Sequence, residues 1–201
     1  GNQVQAPVEA GIHSSSNRIH YIEREDAIQS AIRIGRPLFN KSHADYAGMQ
    51  VLNTILGGYF GSRLMKNIRE DKGYTYGIGS AVVSMLQGGY FFISSEVGSE
   101  VCMAALEEIY KEIEVLKTEP VPGEELQMVK NYMLGSFLKN IDGAFNLADR
   151  WKGIMFYGLD YSYYDRFIQT VKSITADEIK TLASRYFNRE DLYELVVGKK
   201  Q

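Results

Sequence analysis

The chain has 201 residues, a net charge of −3, and a composition in which 45% of residues are hydrophobic and 23% are charged. A chain of this length can bury roughly 70% of its unfolded surface, so it needs neither a metal nor a disulfide to fold. The slight acidic excess argues against a nucleic-acid or anionic-membrane surface as partner, and no apolar run approaches the about 18 residues of a membrane span.

The N-terminal segment reads as a linker. Residues 1–17 are rich in Gln, Ser, Gly and Asn and have no hydrophobic period, which predicts a linker or an extended arm. The chain opens on Gly1 rather than on Met and carries no signal-peptide pattern, which is typical of a piece of a longer protein. Residues 18–201 are expected to form a single α+β domain.

Two strands are predicted next, over residues 18–24 and 27–37. In the second strand, Ile28, Ile32 and Ile34 recur at a period of two and are expected to share one face.

Helical patterns follow these strands. A helix is predicted over residues 42–58, where Ser42 and Asp45 form a plausible capping box and glycines end the run. Its expected apolar stripe consists of Ala44, Ala47, Val51, Leu52 and Ile55. A shorter helix over residues 62–71 ends before Gly73.

The middle and end of the chain contain a hairpin, a helical run and a last strand. Residues 73–86 and 88–98 predict two long strands that turn around Gln87, Gly88 and Gly89. Helices are expected from Ser99 onward and then over 122–140, 145–158, 161–174 and 175–187, the last with Thr175 and Glu178 as a capping box, and a strand over 191–198 closes the chain.

The order of the elements indicates the fold class. Strands and helices are grouped rather than strictly alternating. This grouping favours an α+β fold, an antiparallel or mixed sheet with helices packed on one face.

A phosphate site is the first chemistry that the glycine-rich segment suggests, because it leads into a helix. Leu56 stands where the dinucleotide fingerprint requires its first glycine. Gly61 is followed by Ser62 and Arg63, whereas the Walker pattern requires Gly-Lys-Ser/Thr. Both phosphate patterns therefore fail.

A catalytic zinc is not expected in this chain. None of the three histidines, His13, His20 and His43, pairs with another at a spacing of four. Residues 20–24 approach an inverted His-x-x-Glu-His motif, but Arg24 replaces the second histidine and cannot bind a metal. The stretch is also strand-like, whereas the motif requires a helix.

A nucleophilic centre is not indicated either. No Gly-x-Ser-x-Gly elbow is present, and Cys102 has no nearby sequence cue for a base. Cys102 lies on an apolar helical face and is expected to be a small buried hydrophobe.

Arg69 and Tyr76 are open to two interpretations. Arg69 lies in a last helical turn, where a cation is favourable by about 0.3–1 kcal/mol, and Tyr76 alternates with Tyr74 and Ile78 as a packing residue would. Alternatively, a tight turn at Gly73 brings the guanidinium and the phenol to one place. Two fixed donors are what an oxyanion or a peptide carbonyl needs.

Two long segments carry a family resemblance. LNTILGGYFGSRLMKNIREDKGYTYGIGS (residues 52–80) resembles the segment of the pitrilysin, insulinase and mitochondrial processing peptidase family that carries an Arg–Tyr pair at the same seven-residue spacing. Residues 157–187 resemble the helical end of the same domain. Over nearly all its length, the chain is similar to the non-zinc half of these metallopeptidases.

The resemblance implies a division of labour between two homologous halves that face each other as a clamshell. One half holds zinc through an inverted His-x-x-Glu-His helix and a distant glutamate, and the other half grips the peptide substrate. The implied substrate-binding residues here are Arg69 and Tyr76, with Tyr76 also the catalytic donor to the carbonyl oxygen. No metal or other cofactor is implied in this chain, because the zinc belongs to the partner half, in the same polypeptide or in a separate subunit.

Two functions follow from this resemblance. The first is the substrate-binding component of a zinc metalloendopeptidase, inactive when isolated; the second is a non-catalytic structural or interaction module of the same fold. The helix around residues 42–56 corresponds to the zinc-motif helix and keeps only His43. The retained Arg69 and Tyr76 favour the first function. The tyrosine-rich residues 156–167 suit helix packing better than the lining of a chamber.

Overall fold

The computed structural model describes residues 15–139 and 143–199. Five strands form one sheet in the order β1-β5-β2-β4-β3. The strands are β1 (Ile19–Glu23), β2 (Gln29–Leu38), β3 (Thr75–Met85), β4 (Gly88–Gly98) and β5 (Tyr193–Gly198). β1 runs parallel to β5, and the other pairings are antiparallel, so the sheet is mixed.

The helices are α1 (Tyr46–Asn53), α2 (Cys102–Thr118), α3 (Gly123–Lys139), α4 (Ala144–Met155), α5 (Ser162–Ser173) and α6 (Ala176–Tyr186). α1 continues into a first π-helical segment (Thr54–Gly58), and a second π-helical segment (Met65–Asp71) precedes β3. No described helix is both long and apolar enough to cross a membrane.

The core lies between the sheet and the helices. Ile32 and Ile34 of β2 and Ile93 of β4 are buried on one face of the sheet, while Arg33 and Tyr90 on the other face are exposed. An antiparallel sheet with one covered face requires this alternation. The predicted α+β fold, with helices on one face of a mixed sheet, is confirmed.

One predicted strand begins too early. Ile28 is 86% exposed and precedes β2, so it does not share the buried face of Ile32 and Ile34. Its carbonyl accepts a hydrogen bond from the Ser99 N–H at 3.2 Å. The backbone at Ile28 is thus held by Ser99, the residue that follows β4, while its side chain lies outside the core.

The predicted capping box at Ser42 is wrong. α1 begins at Tyr46, and the Asp45 side chain makes no capping hydrogen bond. The Asp45 carboxylate instead accepts from Arg185 Nη1 at 2.7 Å and from the Tyr186 hydroxyl at 2.6 Å. A tertiary contact with α6 therefore replaces the local cap.

Other local predictions have mixed outcomes. The capping box of Thr175 and Glu178 is confirmed at the start of α6. In the predicted apolar stripe, Val51, Leu52 and Ile55 are buried, whereas Ala44 precedes α1 and is exposed.

The hairpin turn is one residue earlier than predicted. Met85 pairs with Gly88, which leaves Leu86 and Gln87 as a two-residue turn and places Gly88 inside β4. Of the predicted N-terminal arm, residues 15–17 are exposed and belong to no helix or strand, and the rest lies outside the described residues, as does His13.

Candidate functional site

A left-handed turn joins the helical segment of Arg69 to the strand of Tyr76. Arg69 lies in the last turn of the second π-helical segment, as predicted for a helix end. Gly73 follows with φ +66°, a backbone conformation that strains any residue with a Cβ. The Tyr74 N–H then closes the turn on the Ile68 carbonyl at 3.0 Å.

The Arg69 side chain contacts the backbone of Tyr76. Arg69 Nε donates to the carbonyl oxygen of Tyr76 at 3.0 Å. The guanidinium carbon also lies 4.9 Å from the ring centre of Phe60, within cation–π range. A guanidinium has five N–H donors, and the other four have no partner among the described residues. Arg69 is therefore held in place with most of its donors still available.

A β-bulge sets the direction of Tyr76. Thr75 pairs with Val97 and Ile78 with Ser95, so β3 has one more residue than β4 between these pairs. Of the two interpretations of Tyr76, the one in which it shares a packing face with Ile78 does not hold, because the extra residue breaks the alternation. Ile78 is buried, whereas Tyr76 is 94% exposed. Bulges re-aim side chains in this way.

Two hydroxyls hold the bulge, and neither was identified from the sequence. Thr75 Oγ1 lies 2.6 Å from the Glu96 carbonyl, to which it donates, and accepts from the Gly77 N–H at 3.0 Å. Ser95 Oγ donates to the Gly77 carbonyl at 3.0 Å. The N–H and the carbonyl of Gly77 are thereby both held by side-chain hydroxyls. The sequence signal was a Thr two residues before a glycine, which is too common to be specific.

β3 lies at the edge of the sheet, and side chains cap much of its free edge. Met85 and Gly88 flank a two-residue turn and so form a hydrogen-bonded pair. In an antiparallel pair, the N–H and C=O groups of alternate residues point toward the partner strand and away from it. Counted back from Met85, the N–H and C=O groups of Ile78, Ser80, Val82 and Ser84 therefore point away from β4. Three of their carbonyls accept side-chain hydrogen bonds: Ser80 from Asn53 Nδ2 at 3.3 Å, Val82 from Gln50 Nε2 at 3.2 Å, and Ser84 from the Tyr157 hydroxyl at 3.1 Å.

The edge at Ile78 lacks such a cap. No hydrogen bond from another described residue reaches the outward peptide groups of Ile78. Ile78 is two residues from Tyr76, so the uncapped part of the edge adjoins the exposed phenol. Unpaired strand edges are sites where a further strand can add.

Comparison with known proteins identifies the family. The family profile described as "Peptidase M16 inactive domain" matches residues 4–133, which include Arg69 and Tyr76. The chain belongs to this family.

Solved structures and curated relatives agree with this assignment. A peptidase M16 inactive domain from Pseudomonas fluorescens superposes with a TM-score of 0.82 at 26% identity, covering 91% of this chain and 44% of that one. Similar sequences include an uncharacterized zinc protease, YmxG, of Bacillus subtilis strain 168, 24% identical over 86% of this chain and 42% of the relative. A non-peptidase homolog, YmxG, of Helicobacter pylori is 24% identical over 99% of this chain and 46% of the relative.

The chain thus spans less than half the length of these relatives. The predicted resemblance is confirmed at the level of the family and of the fold. The roles of Arg69 and Tyr76 stay predictions.

The described side chains of this M16 inactive domain do not form a zinc site. Across residues 15–139 and 143–199, no three His, Cys, Asp or Glu side chains form a group that could hold a metal ion. His20 Nε2 lies 2.9 Å from the Asn17 carbonyl. His43 stacks on Phe39 at 3.8 Å between ring centres, and its Nδ1 accepts from the Asp45 N–H.

Cys102 is packed as predicted. The thiol is buried, and this burial raises its pKa. A raised pKa keeps sulfur as the protonated thiol, which is a poor nucleophile.

The glycines before Arg69 serve packing. A Cβ on Gly57 would lie 2.8 Å from the backbone nitrogen of Ser80, closer than such contacts allow. Gly57 therefore lets the first π-helical segment approach β3, where Asn53 caps the strand edge. π-Helical turns inside helices occur frequently at functional sites.

Proposed function

We propose that this M16 inactive domain is the substrate-binding, non-metal half of a zinc metalloendopeptidase. Arg69 and Tyr76 hold an extended peptide while a facing, zinc-bearing half with an inverted His-x-x-Glu-His motif hydrolyses it. The observation that carries this proposal is the exposed Tyr76 phenol, fixed by a bulge beside an arginine that keeps four free N–H groups. The proposed domain begins near residue 18.

Arg69 suits binding of the substrate, and Tyr76 suits stabilisation of the transition state. The Arg69 guanidinium is anchored by Phe60 and by a backbone carbonyl, so it can bind a substrate carbonyl with little loss of its own freedom. The Tyr76 phenol is a neutral donor that can stabilise a carbonyl oxygen as negative charge develops on it. Neither group can cleave a peptide bond alone, which fits a half that only binds and orients.

The strand edge supports binding of an extended peptide. Ile78 is 5% exposed, so its outward peptide groups offer at most one rung of pairing to a substrate backbone, and the capped carbonyls from Ser80 onward stop the pairing there. Backbone pairing is independent of sequence, so we expect broad specificity.

The zinc-bearing half is proposed from length and from the relatives. This chain spans 42% of a relative named a zinc protease, which leaves room there for a second domain of similar size. The donor set of the described residues does not fit zinc. In this proposal the metal and the cleavage step belong to the facing half, in the same polypeptide or in a separate subunit.

A second candidate is a structural or interaction module of the same fold. The observation that favours it is the Helicobacter pylori relative, which is named a non-peptidase homolog. Under this alternative, Arg69 and Tyr76 would be ordinary surface residues.

Steady-state kinetics of variants in the assembled two-half enzyme separate these candidates. Tyr76→Phe removes one hydroxyl, and we expect it to lower kcat and kcat/KM together by about 10²–10³. Arg69→Ala should also raise KM, because a ground-state contact is lost. Tyr161→Phe, at an exposed phenol on another part of the surface, is the matched control and should leave both constants unchanged.

Thermal melts complete this experiment. Tyr76 is 94% exposed, so Tyr76→Phe should shift Tm by no more than a few degrees. Wild-type kinetics for Tyr76→Phe would reduce the phenol to a surface residue and favour the structural module. A large loss of stability would instead give the hydroxyl a folding role.

A further inference from the structure

An exposed aromatic ring lies beside Arg69, and the proposed reaction uses it only as an anchor. Phe60 is 64% exposed, although the Arg69 guanidinium carbon lies 4.9 Å from its ring centre. Four aromatic side chains of the described ranges are more than 60% exposed, namely Phe60, Tyr76, Phe145 and Phe156. Single exposed hydrophobic residues are ordinary on protein surfaces, but two of these four adjoin one arginine.

The loop between the two π-helical segments sets the direction of Phe60. The Ser62 N–H donates to the Tyr59 carbonyl at 3.1 Å, which closes a four-residue turn with Phe60 near its tip. Tyr59 has an extended backbone, with φ −153° and ψ 171°, so its side chain and that of Phe60 point to opposite sides. The Tyr59 ring packs on Tyr132 of α3, with 4.8 Å between ring centres, while Phe60 meets Arg69.

A peptide bound at Arg69 has its side chains within reach of Phe60. Arg69 Nε already holds the Tyr76 carbonyl at 3.0 Å, and the remaining guanidinium N–H groups are those proposed to bind a substrate carbonyl. Such a hydrogen bond brings the carbonyl oxygen to about 2.9 Å from a guanidinium nitrogen. The same guanidinium lies against the Phe60 ring, so a side chain next to that carbonyl can rest on the exposed part of the ring.

We propose that Phe60 is a specificity-determining residue that favours peptides with a large apolar side chain, above all an aromatic one, next to the carbonyl that Arg69 binds. This inference rests on the proposed function. The contact removes apolar surface of both partners from water, and paired aromatic rings add an attraction of their own. Backbone pairing at β3 leaves the other positions of the substrate open, so a broad specificity carries one preference.

A panel of peptides tests this proposal in the assembled two-half enzyme. The peptides consist of Ala, Ser and Gly, with a single Phe at each position in turn, and mass spectrometry identifies the cleaved bond. With the wild-type chain, we expect one position, counted from the cleaved bond, at which Phe raises kcat/KM about tenfold over Ala. The gain should lie in KM, because the contact already exists in the bound ground state.

Two substitutions separate contact with the substrate from support of Arg69. Phe60→Ala should abolish the preference, so that the Phe and Ala peptides are cleaved with equal kcat/KM. Phe60→Leu keeps an apolar surface but loses the cation–π contact, so it should retain part of the preference. Because Phe60 is exposed, neither substitution should shift Tm by more than a few degrees.

The matched control is Phe156→Ala. Phe156 is 63% exposed and precedes Tyr157, whose hydroxyl binds the Ser84 carbonyl near the opposite end of β3 from Tyr76. This substitution removes an equally exposed ring elsewhere on the surface and should leave the preference for Phe unchanged.

Three results would overturn the proposal. If Phe60 acts only through Arg69, Phe60→Ala lowers kcat/KM by the same factor for every peptide. A preference for Phe that persists in Phe60→Ala assigns the selection to the facing half. Equal cleavage of all peptides with the wild-type chain shows that no such preference exists.

The Tyr76→Phe chain, run on the same panel, distinguishes this inference from the proposed function. Wild-type kinetics for Tyr76→Phe, or no cleavage by the assembled enzyme, counts against the proposed function and against this inference with it. A large loss of kcat for Tyr76→Phe, together with an unchanged preference in Phe60→Ala, refutes the role of Phe60 alone.

Discussion

At the scale of single residues, the candidate site depends on small polar side chains. Arg69 and Tyr76 do not touch through their functional groups; Arg69 reaches the carbonyl of Tyr76, and Thr75 and Ser95 hold the next peptide. A site that needs an exposed phenol in a fixed direction requires such support, because an unsupported bulge would let the strand recover its regular alternation.

Replacing Thr75 by Val tests this support. The substitution keeps the shape and removes the contacts to the Gly77 N–H and the Glu96 carbonyl. Loss of two hydrogen bonds costs about 1–3 kcal/mol, since each contributes about 0.5–1.5 kcal/mol, and should lower Tm by several degrees. In the assembled enzyme kcat/KM should fall as well, and Thr75→Ser should restore both properties.

The control for this change is Thr118→Val, which removes a hydroxyl bonded to the preceding helical turn. It should leave kcat/KM unchanged. Unaltered kinetics for Thr75→Val would mean that the bulge keeps its shape without the hydroxyl.

At the scale of elements, the close approach of the first π-helical segment to β3 is a specific requirement. A Cβ on Gly57 would meet backbone and side-chain atoms of Ser80, whereas one on Gly153 in α4 would meet nothing within 4 Å. We expect Gly57→Ala to destabilise the fold by about 1–3 kcal/mol through overpacking, and Gly153→Ala to stabilise it by about 0.5–1 kcal/mol. Urea unfolding of both variants measures the two effects, and a shift of the same sign for both would contradict the packing role of Gly57.

The capping box of α6 predicts a dependence of stability on pH. The Thr175 N–H and then its hydroxyl lower the pKa of Glu178, although slight burial opposes them. A carboxylate with a lowered folded pKa stabilises the fold above its unfolded pKa of about 4.3, and this contribution is lost as the pH falls through the folded pKa.

The measurement is the difference in unfolding free energy between wild type and Glu178→Ala as a function of pH. The difference should be constant near neutrality and narrow below about pH 4. The control is Glu107→Ala, at an exposed position of α2, whose difference should change little. A difference for Glu178→Ala that persists at low pH would rule out the charged cap as its source.

The helices and strands were more predictable from the sequence than the bulge and the helix cap. Hydrophobic periods predict α2 and the buried face of β2 because local spacing alone decides which side chains face the core. The bulge at Tyr76 was not predictable, since it depends on Ser95 across the strand pair. The cap at Asp45 failed for a similar reason, because Arg185 and Tyr186 lie far away in sequence.

At the scale of the whole molecule, the site is at an edge. β3 is the last strand of the sheet, and no side chain of the described residues caps its edge at Ile78, two residues from Tyr76. Arg69 and Tyr76 were singled out through the resemblance of residues 52–80 to a known family. The exposure of the phenol and the strand edge at Ile78 follow only from the assembled sheet. Under the proposed function, this surface becomes a complete site only when a zinc-bearing half faces it.

Reconstitution of peptidase activity tests this account most directly. A fluorogenic peptide is incubated with the zinc-bearing half alone, with this chain alone, with both, and with the zinc-bearing half plus the Tyr76→Phe chain. The account predicts rapid cleavage only for the two wild-type halves together, and a rate lower by about 10²–10³ with Tyr76→Phe. Full activity of the zinc-bearing half alone, or wild-type activity with the Tyr76→Phe chain, would contradict it.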